Sequence, residues 1–376
     1  MIHNNCLGYL ATAFLLAVAA TASATSGRAE DIRLDALNIP VAVSGSGGAA
    51  SVVLEAMVVR PDDRLPHPLV VLNHGSPRGA EDRPRMTPFG MWAQAVAFAR
   101  RGWVAVAFLR RGYGRSGGEW AETYGPCSNP DYAAAGRAGA SDIAAVAKFM
   151  MAEPYVGKDK WISVGHSAGA FATVALTADP PPGLAAAISF APGRGSTTPD
   201  AVCGEKQLIS AFAQYGRTSR LPLLWVSAEN DHFFGSRLVP RLTGAFSAAG
   251  GNLTYVKAPP FGSDGHQLFS AANGVPVWSP IVDRFLMSNN LVFRDHLMEI
   301  PVPNVPASLS ANGRAAFKTY LDSGPNKAFA AAGNSRFGWV TGRRTIDDAR
   351  KDALGYCVSG GSAKCAVVNV NDKPAE

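Results

Sequence analysis

Residues 161–178 read WISVGHSAGAFATVALTA. The run Trp161 to Val164 is short and continuously apolar, as in a strand buried on both faces. Ala168 to Ala178 reads as a helix. Between them, Gly165-His166-Ser167-Ala168-Gly169 has to be a sharp turn from strand to helix. Such a turn forces its central serine into strained backbone geometry, and flanking glycines relieve the crowding. The hydroxyl then stands above the sheet edge, with the positive end of the helix dipole aimed at the same place.

Further strands are expected at Val52–Val59, Leu69–Leu72, Trp103–Phe108, Ala185–Phe190, Leu223–Ser227 and Leu253–Val256. Helices are expected at Trp92–Arg101, Glu205–Tyr215 and Leu238–Ala249, and at Ser141–Met151 with Ser141 or Asp142 near its N-cap. Strands alternating with helices imply an α/β fold with a doubly wound, mostly parallel sheet. Ligands of such sheets sit beyond the carboxyl ends of the strands. The alternation stops at Ile300–Asn312, where Pro301, Pro303 and Pro306 favour an extended connection with few ties to either side. The expected organisation is a signal peptide over 1–24, a main domain over 32–296, a Pro-containing linker over 297–312 and a small α+β module over 313–376. In that module Phe337–Val340 and Cys365–Val370 read as strands and Ile346–Tyr356 as a helix.

The chain has 376 residues, 47% of them hydrophobic and 17% charged, with a formal net charge of +6. Charged residues average about 25% in soluble domains, so this is not a disordered acidic or basic chain. The basic residues come in scattered pairs such as Arg83/Arg85 and Arg343/Arg344, which argues against a nucleic-acid partner. Leu7–Ala20 is an apolar run followed by Ala22-Ser23-Ala24, a small-x-small cleavage pattern. Spanning a membrane takes about 20 residues, more than this run holds, so export is expected and stable membrane insertion is not. Cys6 falls within the leader, which leaves Cys127, Cys203, Cys357 and Cys365. An even count in an oxidising compartment suggests two disulfides, with the connectivity open. Neither a Cys-x-x-Cys pair nor a zinc-like Cys/His spacing occurs, and no metal or cofactor is expected.

A serine hydroxyl needs a base, and the base needs an acid to orient it. Asp231 follows the strand Leu223–Ser227 and His266 follows Leu253–Val256, so both fall at the carboxyl edge of the sheet. They are the candidate acid and base for Ser167, with Glu229 the competing acid. An oxyanion would be held by the N–H groups of Ala168 and Ser76. Ser76 lies in His74-Gly75-Ser76-Pro77, which follows Leu69–Leu72. His74, Gly75, Gly165 and Gly169 shape the two loops. Arg111-Gly112-Tyr113-Gly114-Arg115-Ser116 reads as a structural glycine turn.

With these motifs in that order, the chain from about Ile32 to Asn290 resembles the α/β-hydrolase superfamily. Its dienelactone-hydrolase-like and prolyl-oligopeptidase-like branch is the most similar. Dienelactone hydrolases proper carry cysteine where this chain has Ser167. The glycine turn is often preceded by an aspartate where this chain has Leu109. Gly338-Trp339, Ala353-Leu354-x-x-Cys357 and Cys365 resemble a small domain found on exported bacterial proteins. The resemblance implies an exported serine hydrolase without cofactors, acting on a small-molecule ester or on short peptides. A non-catalytic binding protein on the same scaffold is the reading from another class. Since each pair falls within one folding unit, the expected disulfides are Cys127–Cys203 and Cys357–Cys365.

Overall fold

The computed structural model of the chain describes residues 32–375 apart from 46–47, 293, 295, 300–303, 334–335 and 360–363. The signal segment expected over 1–24, with Cys6, lies outside the described residues, as does part of the proline-containing linker. Among the described residues the main sheet has eight strands. These are β1 (Ile32–Gly45), β2 (Gly48–Pro61), β3 (His67–Asn73), β4 (Val104–Phe108), β5 (Val156–His166), β6 (Leu184–Phe190), β9 (Leu223–Ala228) and β10 (Leu253–Ala258). They lie in the order β1-β2-β4-β3-β5-β6-β9-β10. All neighbours are parallel except at β2, which runs against β1 and β4. Val43–Gly45 pair with Gly48–Ala50 at the far end of the β1–β2 ladder, so β1 precedes the first strand expected from sequence.

Continuous apolar runs give these strands two buried faces. In β3, Leu69 and Val71 enter the core under α2 (Tyr132–Met150), α3 (Ala168–Ala178), α4 (Glu205–Gly216) and α5 (Val239–Ala248). Val70 and Leu72 enter the opposite core, under α1 (Trp92–Ala99) and α6 (Val275–Ser288). A small hairpin, β7 (Ser196–Thr198) with β8 (Ala201–Val202), stands between β6 and α4.

Helix α2 begins nine residues before the expected Ser141 start, and its N-cap is Asp131, whose carboxylate accepts from Ala134 N at 2.8 Å. Gly136 and Gly139 make that first half a poor helix by propensity. Packing overrides the propensity: a β-carbon at Gly136 would lie 2.2 Å from Tyr215 Oη, and one at Gly139 2.7 Å from Ala172 Cβ. Asp142 is not at a cap. It is buried mid-helix and pairs with Arg111 Nε at 2.6 Å.

Beyond Asn290, Ser310 caps α7 (Ala311–Leu321) by accepting from Gly313 N at 3.2 Å, so a helix starts inside the expected linker. A second sheet follows, in the order β12 (Arg336–Val340), β11 (Ala328–Ala332), β13 (Ala366–Val370), β14 (Lys373–Pro374). Strand β11 buries Ala328 and Ala330 with α8 (Ile346–Val358), and Phe329 and Ala331 with α7. Disulfides join Cys127 to Cys203 and Cys357 to Cys365. The expectation of few ties between the two parts is corrected. Met298 and Arg100 exchange main-chain and side-chain hydrogen bonds at 3.1 and 2.6 Å, and Arg344 reaches Glu55 and the carbonyl of Met86.

The contrast between two helical glycines is testable. Alanine gains about 1 kcal/mol over glycine in a helix, whereas overpacking a filled site costs about 1–3 kcal/mol. Gly244, in α5, has open space around its missing β-carbon. Gly244→Ala should therefore raise the denaturant midpoint and Gly136→Ala should lower it, read by equilibrium unfolding.

Candidate active site

Ser167 has φ 54° and ψ −118°, a left-handed backbone that an L-residue seldom adopts. It is over-determined by its surroundings. Ser167 N donates to Phe190 O at 2.9 Å, and Ser167 O accepts from Phe171 N at 2.9 Å and Gly193 N at 3.3 Å. A β-carbon at Gly165 would lie 2.5 Å from Ala170 N, and one at Gly169 2.3 Å from Asn73 O. Neither position admits a side chain: the start of α3 lies against Gly165, and the end of β3 with His74 presses on Gly169. The buried Asn73 amide fixes that approach through Ser163 Oγ and Thr173 Oγ1, each at 3.0 Å.

Asp231 follows β9 and His266 follows β10, and both are buried. His266 Nδ1 lies 3.1 Å from Asp231 Oδ2. The other carboxylate oxygen accepts from Phe233 N at 2.7 Å and Phe234 N at 3.0 Å. Burial pushes the Asp231 carboxyl up. The His266 hydrogen bond and charge and the two amides outweigh it and hold the group below the usual carboxylate value. Glu229, the competing acid, instead faces solvent and meets Lys257 at 3.1 Å. The His266 ring stacks on Phe233 at 3.8 Å, and the Arg78 guanidinium lies 3.5 Å over that same phenyl ring. In this state the Ser167 hydroxyl has no hydrogen-bond partner among the described residues. Such contacts are often long in a free enzyme and tighten with substrate.

The two remaining motif histidines are structural. Burial and the neighbouring His266 push His166 down to about 3, so it is neutral and its Nε2–H donates to His266 O at 2.8 Å. Burial and Arg110 likewise keep His74 neutral. Its Nε2 accepts from Arg110 N at 3.1 Å, which leaves Nδ1–H to donate to Gly75 O at 2.7 Å. His74 thus sets the loop that carries Ser76.

Ser167, Ala168 and Ser76 line one pocket with Arg78, Arg83, Trp120, Tyr124, Arg194, Phe233 and Phe234. Sequence reasoning did not find those last seven. Under the pocket the Glu122 carboxylate is shared by Arg110 and Arg194 and lies 3.2 Å from the Tyr113 hydroxyl. That hydroxyl is also 3.0 Å from Ser76 Oγ. Burial raises the Tyr113 phenol, and the charges of Arg194 and Arg110 more than reverse it. The glycine turn is structural, as its pattern suggests, but its tyrosine reaches the site.

The sheet order, with one antiparallel strand in second place and the elbow after β5, identifies the architecture. A family model described as X-Pro dipeptidyl-peptidase (S15 family) matches residues 47–228, which include both glycine loops and end before Asp231. The chain has the α/β-hydrolase fold. Solved structures similar to this chain include an esterase of Pyrococcus furiosus, at 16% identity over 68% of this chain and 91% of that one, TM-score 0.46. Esterase 2 of Thermogutta terrifontis, phosphorylated by paraoxon, is 18% identical over 69% of this chain and 95% of that one, TM-score 0.48. The acylaminoacyl peptidase of Pyrococcus horikoshii is 15% identical over 71% of this chain but 43% of its own length, TM-score 0.49. None of the curated proteins matches the sequence.

Two measurements separate the acids. Asp231→Asn should lower kcat by about 10⁴ by stabilising the wrong imidazole tautomer. Glu229→Gln should leave kcat within a few-fold in the same assay. Because the folded-state pKa of Asp231 is depressed, its ionic contribution to stability is present above the ordinary value of 3.8 and lost as pH falls through the folded value. The gap in thermal midpoint between wild type and Asp231→Asn should accordingly narrow below pH 3.8.

Proposed function

We propose that this serine hydrolase cleaves carboxylic esters through a Ser167–His266–Asp231 triad and an acyl-enzyme. His266 takes the Ser167 proton as the hydroxyl attacks the ester carbonyl, and Asp231 holds the resulting imidazolium. The N–H groups of Ala168 and Ser76 receive the oxyanion, with the α3 N-terminus adding its dipole. His266 then protonates the departing alcohol, and water releases the acid by the same route. The observation that carries this reading is the buried 3.1 Å contact between His266 Nδ1 and Asp231 Oδ2 at the strand ends beside the Ser167 elbow. A scaffold that only binds has no need of an oriented, buried imidazole–carboxylate pair there.

The match to the dipeptidyl-peptidase family favours a second reading, cleavage of short peptides. A dipeptidyl peptidase has to seat a protonated α-amine, which calls for carboxylates. The pocket beside Ser167 is lined by Arg78, Arg83 and Arg194 and, among the described residues, by no acidic one. That lining supports the ester reading. Export is part of the proposal: two disulfides suit an oxidising compartment, and Leu7–Ala20 with Ala22-Ser23-Ala24 has the pattern of a cleavable leader.

Purified protein assayed on a 4-nitrophenyl ester series and on an X-Pro 4-nitroanilide tests both readings. Esters should give the larger kcat/KM, and Ser167→Ala should retain less than a few per cent of it. Faster cleavage of the anilide would transfer the assignment to the peptidase reading.

A further inference from the structure

Two of the pocket's arginines have no carboxylate to neutralise them among the described residues. Arg78 donates from Nε and Nη2 to Ser196 Oγ at 3.2 and 2.9 Å and stacks on Phe233. Arg83 is half-buried, with its guanidinium 3.7 Å over the Trp120 ring. Arg194 differs, being spoken for by Glu122. Arg78 and Arg83 therefore give the pocket a positive wall whose counter-charge does not come from the lining.

Arg83 sits in an irregular segment, a short 3₁₀ helix at Ala80–Arg85 with Pro84 inside it, which has no buried residue of its own to anchor it. What fixes it comes from two other places. On one side Gly114 N donates to Arg83 O at 2.9 Å, and a β-carbon at Gly114 would lie 2.6 Å from Met86 O. On the other side stands the C-terminal module. Arg344 Nη2 donates to Met86 O at 2.8 Å, and its Nη1 pairs with Glu55 Oε1. The second oxygen of Glu55 accepts from Arg115 N at 3.0 Å, so one carboxylate joins the module to the glycine turn. Thr87 Oγ1 donates to Gly342 O at 3.4 Å, and a β-carbon at Gly324 would lie 3.0 Å from Trp92 Cβ. The Arg344–Glu55 pair is largely shielded from solvent, with side chains 16% and 17% exposed. This edge of the module is thus built against the segment that carries Arg83.

We propose that the C-terminal module belongs to the substrate-binding apparatus: Arg344 is a positioning residue that holds Ala80–Thr87 so that Arg83, with Arg78, receives an anionic group of the ester substrate. The proposal rests on the ester-hydrolase reading and narrows it to esters that carry a carboxylate or a comparable anion. A planar guanidinium suits such a group, and the aromatic surfaces beneath both arginines orient them at little entropic cost.

The test uses the full chain and matched substrates. One pair is 4-nitrophenyl hemisuccinate against 4-nitrophenyl butyrate, with the anion on the acyl side. The other is the butyrate ester of glycolate against ethyl butyrate, with the anion on the alcohol side. Wild type should prefer the anionic member of at least one pair by about tenfold in kcat/KM, and added salt should erode the preference. Arg83→Ala should abolish the preference mainly through KM. Arg344→Ala should lower it by several-fold, and the double variant should be no worse than Arg83→Ala alone, because Arg344 acts through Arg83. Arg344→Lys, which keeps the charge beside Glu55 but loses the fork, should fall between and serves if the alanine variant does not fold. Wild type showing no anionic preference in either pair, or Arg344 variants whose losses add to that of Arg83→Ala, would overturn the proposal. Absence of Ser167-dependent hydrolysis of every ester would instead sink the underlying reading.

Discussion

Everything at the site is referred to one constraint, the left-handed backbone of Ser167. A serine at φ 54° costs conformational energy and persists only where its neighbours leave it no alternative. Here the neighbours are two strands. Register pairs Asn73 of β3 with Gly165, and Phe190 of β6 with His166, so the turn leaves the sheet between two fixed backbones. The missing β-carbon of Gly169 lets α3 settle against the carbonyls of Asn73 and His74. The same contact carries the Ser76 loop to the start of α3. The candidate nucleophile and candidate oxyanion donors are consequently placed by sheet register rather than by flexible loops.

Charge around this turn is arranged in two tiers. Deep in the molecule, Arg110 and Arg194 share Glu122, and Arg111 meets the buried Asp142, whose carboxyl burial pushes up against the pull of Arg111. Taking such ions out of water is expensive, so these pairs are poor sources of stability. What they fix is geometry: Arg110 ties the loop after β4 to the segment around Trp120, Arg111 ties it to α2, and Arg194 ties the loop after β6 to the same Glu122. Nearer the opening, Arg78 and Arg83 are held by aromatic faces instead. The difference separates guanidinium groups that position the chain from those left for a ligand.

The parts legible in the sequence are those with local causes. Continuous apolar runs marked the central strands. The elbow was marked by glycines on both sides of Ser167, and the candidate acid and base by their places just past two strands. What stayed hidden depends on distant packing. The first half of α2 contains two glycines that disfavour a helix until Tyr215 and Ala172 occupy their missing side-chain space. Helix α6 went unassigned between Pro276 and Pro280, although Pro276 stands at a helix start, where its missing N–H costs nothing. The pocket wall was invisible because residues 78, 83, 120 and 194 converge only when the sheet forms. Likewise, the prolines after Ile300 suggested a loose appendage, whereas contacts between distant residues, Arg344 with Glu55 and Met86 and Thr87 with Gly342, tie that part to the main domain.

The central claim is that Ser167 is an activated nucleophile, and covalent trapping tests it most directly. The full chain is treated with a fluorophosphonate and the adduct is mapped by peptide mass spectrometry. The account predicts a single stoichiometric adduct on Ser167, formed much more slowly in His266→Ala. An adduct on another residue, or undiminished ester hydrolysis in protein fully labelled at Ser167, would contradict it.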